Sequence, residues 1–163
     1  MLIFGGWMKF EHIKDFFIKQ ALEDYKESID AEKPDSLSVS NYKVIKPWGY
    51  ELWLELNEFY AFKVIHMEKG NQCSLQSHEY KIEANYIIEG KAEVLLENDD
   101  GKMESKIYEV GSGWTVPLNR KHRVIAIESY TALEVSTPHL NDVIRYEDDT
   151  NRTSGKIDSE HKK

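Results

Sequence analysis

Two kinds of apolar spacing divide the chain. Over residues 9–30, "KFEHIKDFFIKQALEDYKESID", Phe10, Ile13, Phe17, Ala21 and Tyr25 recur every three or four positions with charges between them. That spacing predicts an amphipathic α-helix. "AEKPDSLSVSN", Ala31 to Asn41, holds a proline and several serines and predicts a linker. From Tyr42 the spacing shortens to runs rich in Val, Ile, Tyr and Trp, parted by turn residues. Nine of them predict strands: "YKVIK", "YELWLEL", "YAFKVIHM", "NYIIEG", "KAEVLLEN", "SKIYEV", "GWTVPL", "HRVIAIE" and "TALEVST". Asp99-Asp100-Gly101 predicts a hairpin turn between two of these. Many short strands with no long helix between them predict an all-β sandwich or barrel. The last stretch, "EDDTNRTSGKIDSEHKK", is nearly devoid of apolar side chains and predicts a frayed end. The expected organisation is therefore a helix and linker over 1–41, a β domain over 42–150 and a flexible tail over 151–163.

Length and composition fit this picture and narrow the partners. A chain of 163 residues suits one domain with short appendages. Its 40% hydrophobic and 31% charged residues are ordinary for a soluble protein. A net charge of −8, from 29 acidic against 21 basic residues, argues against nucleic acid, which needs a basic footprint. It leaves an anionic small molecule open, because a few local Lys or Arg can serve it. Cys73 is the single cysteine, so there is no internal disulfide framework, and a reducing, cytoplasmic setting is expected. "MLIFGGWMKF" has no basic start and no small-residue cleavage site, so it does not read as a signal peptide. No window reaches the apolar length of a membrane span, and no membrane partner is expected.

Candidate chemistry concentrates in "GNQCSLQSHEYKIEANYIIEG", Gly70 to Gly90. Gln76 and His78 are two apart, so on a strand they point to the same face. Glu83 follows five residues later, far enough for a turn and a return on a neighbouring strand. His122, in "GSGWTVPLNRKHRVIAIE", is a fourth candidate. Two imidazoles, a carboxylate and an amide oxygen make a mixed N/O set that Zn, Fe(II), Mn, Co and Ni all tolerate. His12 and His66 read as ordinary helix and strand residues, and His139 and His161 as solvated loop and tail residues. Cys73 reads as a small buried residue, and Trp48 and Trp53 as core or subunit contacts.

The spacing resembles the two cupin motifs. Gly70, Gln76, His78, Glu83 and Gly90 stand at the positions of the first motif, with Gln76 where His is usual. Gly111, Pro117 and His122 stand at those of the second, with Asn119 in a Gly place and Ala126 where Asn is common. Asn tolerates positive φ better than other non-glycine residues, so the turn can survive. The resemblance implies a double-stranded β-helix, or jelly roll, holding one divalent metal on Gln76, His78, Glu83 and His122. Within the cupins, "KPWGYE", "KVIHMEKG", "SLQSH", "KHRV", "LEVSTP" and "DVIRYEDDTNR" resemble the type II mannose-6-phosphate isomerase domain, over about Lys46 to Arg152. Gln in the first ligand place is characteristic of that domain. The resemblance implies that Lys63 and Arg145 contact substrate and that Arg123 takes part in catalysis. Lys81 stands where the family usually has an Arg often taken as catalytic, and Ala84-Asn85 stand for a His-Trp pair. Lys keeps the charge without the planar fork of Arg.

Three functions follow as expectations. The first is a metal-dependent isomerase of the mannose-6-phosphate/fructose-6-phosphate type, working through an enediol. The second is a cupin that binds a sugar or sugar nucleotide without turnover. The third is an Fe(II) oxygenase built on His78, His122 and Glu83. A sugar phosphate or sugar nucleotide is the expected small-molecule partner, and a homodimer the expected assembly.

Overall fold

The computed structural model of the chain describes residues 42–161; the expected helix over 9–30 and its linker lie outside them. Eleven strands follow in order: β1 (Tyr42–Lys46), β2 (Gly49–Leu56), β3 (Ala61–Met67), β4 (Leu75–Ser77), β5 (Glu83–Glu89), β6 (Lys91–Glu97), β7 (Met103–Glu109), β8 (Gly113–Val116), β9 (His122–Ala126), β10 (Tyr130–Ser136) and β11 (Ile144–Glu147). A single 3-10 turn, Asp158–His161, follows them. The nine expected runs all form strands. The other two, β4 and β11, are only three and four residues long. Among the described residues no helix is long and apolar enough to cross a membrane.

All strand pairs are antiparallel. They form a six-stranded sheet, β1-β2-β3-β10-β5-β8, and a five-stranded sheet, β11-β4-β9-β6-β7. This is the jelly-roll, double-stranded β-helix architecture expected from the sequence. Burial alternates along the central strands, as period-two apolar patterning requires. The buried side chains of both sheets meet between them. Met67, Ile87, Val94, Trp114, Val116 and Val124 belong to one core cluster.

The inner faces are not uniform along the strands. On β10, Tyr130 and Ala132 lie beside Met67, Ile65 and Ile87. Two further alternations bring Glu134 and Ser136 beside Lys63, Asn85 and Glu83. On β9, Ala126 and Val124 lie beside Ala92 and Val94, and His122 lies beside Leu96 and Gln76. Both sheets thus carry an apolar end, which forms the core, and a polar end, which is buried as well. Buried polar groups need internal partners, so the polar end is where ligand chemistry is to be sought.

Two turns hold this arrangement. Gly90 reverses the chain between β5 and β6 at φ 76°, and a Cβ there would lie 2.0 Å from the Ser129 carbonyl oxygen. Asn119 adopts φ 58° just before β9, as its place in the motif predicts. The last described residues, expected to fray, make polar contacts with the domain. Glu160 meets Lys46 at 2.8 Å and Arg152 at 3.0 Å, and the His161 ring packs edge-on against Trp53.

Candidate metal centre

Strand parity and one loop bring the ligand candidates together. Gln76 on β4 pairs directly with His122 on β9. His78 follows the end of β4, and Glu83 opens β5. The connection between them is clamped by Asp142. Its carboxylate accepts the backbone N–H groups of Glu79, Tyr80 and Lys81 at 3.2, 2.6 and 2.9 Å. Its backbone carbonyl accepts a short hydrogen bond from His78 Nδ1. His122 Nδ1 is likewise engaged, with the Arg120 carbonyl at 3.2 Å. Each imidazole therefore spends Nδ1 on the backbone and turns Nε2 to the interior, the tautomer arrangement that second-shell partners impose on metal-binding histidines.

The Nε2 atoms converge on one carboxylate. His78 Nε2 lies 3.7 Å from Glu83 Oε2, and His122 Nε2 lies 3.7 Å from Glu83 Oε1. Ligand atoms of the three residues all fall within 4.8 Å of one another. Gln76 faces His122 Nε2 at 3.4 Å with its Nε2, while its Oε1 accepts from Ser74 Oγ at 2.7 Å. Turning the carboxamide end for end presents the oxygen to the cluster. His78 is fully buried, yet its Nε2 has no hydrogen-bond partner. An unsatisfied ring nitrogen in a sealed interior is costly unless something else takes its lone pair. The donor set fits a borderline divalent cation: two imidazole nitrogens, a carboxylate and an amide.

Electrostatics keep the ligands in metal-accepting form. Burial holds the His78 imidazole well below its usual pKa, at about 2, and nearby Lys81 adds to this. Burial also lowers His122. Burial alone would raise the Glu83 carboxyl, but Lys81, followed by the two histidines, holds it below the usual carboxylate range. The Lys81 ammonium lies 2.6 Å from Glu83 Oε2. The cluster is thus two neutral rings and one carboxylate at neutral pH, which needs no deprotonation on binding a cation.

The cluster lies in the wall of a cavity of about 100 Å³. Gln76, Glu83 and His122 line it, and so do Lys81, Lys63 and Arg145. Lys63 Nζ sits between Glu134 at 3.1 Å and Glu51 at 3.5 Å. Arg145 Nη1 donates to the carbonyls of Thr153 and Gly155. Among the described residues Arg145 has no carboxylate partner. Arg123 is placed differently. It follows inward-facing His122, so it points to the other side of β9, where it meets Glu147 Oε2 at 3.3 Å. It is not among the cavity-lining residues, and the catalytic part expected of it does not fit this orientation.

The structure also adds residues. Glu134 is 6% exposed and lines the cavity. Its signal lay in parity with Tyr130, Ala132 and Ser136 on β10. Trp53 lines the cavity rather than only the core, and Trp48 does both. His139, expected in solvent, is 7% exposed, beside Tyr80 and Thr137. His161, expected in a solvated tail, lines the cavity because the tail folds back on β1. Asp142 opens the resembling stretch "DVIRYEDDTNR", but nothing there announced its part, because its partners are backbone groups some sixty residues earlier.

A jelly roll with a His/Glu/His cluster at the buried polar end defines a cupin. The chain belongs to the family described as mannose-6-phosphate isomerase C-terminal, whose profile matches residues 33–151. No curated protein matches significantly. Among solved structures the chain is similar to KdgF from Halomonas sp., at 17% identity and a TM-score of 0.54, over 61% of this chain and 88% of that one. It is also similar to oxalate decarboxylase from Bacillus subtilis, at 20% identity and a TM-score of 0.58, over 71% of this chain. The match spans only 34% of the oxalate decarboxylase chain, a protein described with Mn(II) centres. At these identities the likeness concerns the fold.

Proposed function

We propose that the protein is a metal-dependent sugar-phosphate isomerase that interconverts an aldose phosphate and a ketose phosphate of the mannose-6-phosphate/fructose-6-phosphate type. The observation that supports this most is one cavity lined by Glu83 and His122 of the cluster together with the buried cations Lys81 and Lys63. Membership of the isomerase-type family supports the same reading. Gln76, His78, Glu83 and His122 would hold the cation. When bound it supplies Lewis-acid polarisation of a sugar carbonyl.

The chain's own residues supply the rest. Lys81, fixed against Glu83, and Lys63, fixed between Glu51 and Glu134, place positive charge on the cavity wall without reorganisation. Among the described residues Arg145 is the cation in the wall without a carboxylate partner, and so the one best placed to meet a phosphate. Trp53 and Trp114, both buried and cavity-lining, offer apolar faces to a sugar ring. The test is turnover of mannose 6-phosphate and its epimers by the protein supplied with Zn, Mn, Fe(II), Co or Ni. Solvent deuterium should enter the substrate at C2.

A second reading is a cupin that binds a sugar or sugar nucleotide without turnover. It is favoured by the tight pairing of Lys81 with Glu83, which leaves Lys81 less free than the family's Arg. Calorimetric sugar binding with no deuterium exchange would select it, and oxygen uptake with iron would select an oxygenase.

A further inference from the structure

A single polar row crosses the inner face of the six-stranded sheet. Its members are consecutive cross-strand partners: Trp53 beside Lys63, Lys63 beside Glu134, Glu134 beside Asn85, and Asn85 beside Trp114. All five are buried, at 5–8% exposure, and all five line the cavity. The next row along β5 and β10 holds Glu83 beside Ser136, and Asn85 Nδ2 reaches back to Glu83 Oε1 at 3.4 Å. Two tryptophans thus bracket a lysine, a carboxylate and an amide, one row from the metal-ligating carboxylate.

The cavity's carboxylates differ in how far they are committed. Glu51 accepts from Trp53 Nε1 at 2.7 Å and meets both Lys63 and Lys46. Glu160 is held by Lys46 and Arg152. Glu83 belongs to the metal cluster and to Lys81. Glu134 has Lys63 as its one ion-pair partner among the described residues, at 3.1 Å from its Oε1. Lys63 is shared by two carboxylates, and Glu51 has Lys46 as a second cation, so Glu134 is the carboxylate of this group with the smaller share of positive charge. A proton taken up by Glu134 would leave Lys63 paired with Glu51.

We infer that Glu134 is the general base and acid of the reaction, and that Lys63 keeps the charge around it compensated; this rests on the isomerase reading above. Glu134 takes the hydrogen on C2 of the open-chain aldose phosphate as a proton. The C2–H electron pair becomes the C1=C2 bond, and the carbonyl π pair moves to O1. The O2–H proton passes to O1 and the C2=O bond forms. The C1=C2 π pair takes the proton back from Glu134 at C1, which gives the ketose and restores the carboxylate.

The experiment compares wild type with Glu134→Gln, which keeps shape and removes basicity. It measures isomerisation, C2 deuterium exchange, metal content, and calorimetric binding of the sugar phosphate to the metal-free protein. A loss of turnover and exchange of about 100-fold or more is expected, with metal content and metal-free binding unchanged. Added formate should restore part of the rate in Glu134→Ala and none in Glu134→Gln. If Glu134→Gln does not fold, Glu134→Asp replaces it, and lost turnover with retained binding carries the same meaning. A Glu134→Gln or Glu134→Asp rate within about threefold of wild type overturns the assignment while leaving the isomerase reading intact. A wild-type protein that binds metal but turns over no hexose phosphate overturns both.

Discussion

Asp142 holds the ligand loop by accepting three successive backbone N–H groups and the His78 ring. It touches no cavity atom that reacts, so its part is to position. Asp142→Ala should weaken metal affinity by about 10–100-fold, the usual cost of a lost outer-shell partner, measured by competition with a chromogenic chelator. Arg123 makes the opposite prediction. It pairs with a Glu147 that is 66% exposed, on the far side of β9. Arg123→Ala should leave turnover within about threefold, checked by kinetics. Legibility at this scale followed parity. The convergence of His78, Glu83 and His122 was readable because motif spacing fixes which way each points. Asn119 was readable because few other residues accept its φ of 58°. Arg123 was assigned by its neighbour in a motif, although a residue next to an inward-facing one on a strand must point away. Glu134 was overlooked because a charge within an apolar strand reads as solvent-facing, when here Lys63 neutralises it.

The strands divide into those a pattern can announce and those that only a partner can define. β3, β5, β9 and β10 alternate over five to seven residues and were legible. β4 and β11 are short and polar, and they exist because Gln76 pairs with His122 and with Arg145 across strands. The Asp158–His161 turn is likewise held by ion pairs and ring contacts, which leave no periodic trace. Gly90→Ala tests the tightest connection. With φ at 76° and Ser129 O in the way, it should cost more than about 2 kcal/mol in urea unfolding.

Glu51, which meets Lys63 of the polar row, makes a pH prediction. Burial pushes the Glu51 carboxyl up, but Lys63, Lys46 and the Trp53 indole bring it down to about 2, from an ordinary 4.5. The unfolded carboxyl therefore binds its proton at higher pH than the folded one. Its stabilisation is complete above pH 4.5 and disappears as the pH falls toward 2. Glu51→Gln should cost about 3 kcal/mol at pH 7, and the deficit should shrink between pH 4.5 and 2. A deficit that stays constant across that range would contradict the ion-pair account.

At the scale of the molecule, two antiparallel sheets bury an apolar end that stabilises the fold and a polar end that carries the His78, Glu83 and His122 cluster. The architecture was legible because short strands without helices leave few other solutions. The division along the strands was not, since sequence gives the face a residue occupies but not which rows meet across sheets. The central claim is that side chains from β4, its following loop, β5 and β9 hold one cation. The most direct measurement is element analysis of the purified protein, with calorimetric titration of the metal-free form by Zn and Mn. The account predicts one divalent ion per chain, and occupancy falling by at least tenfold in His78→Ala and His122→Ala. A wild-type chain that takes up no ion, or variants that bind as well as wild type, would contradict it.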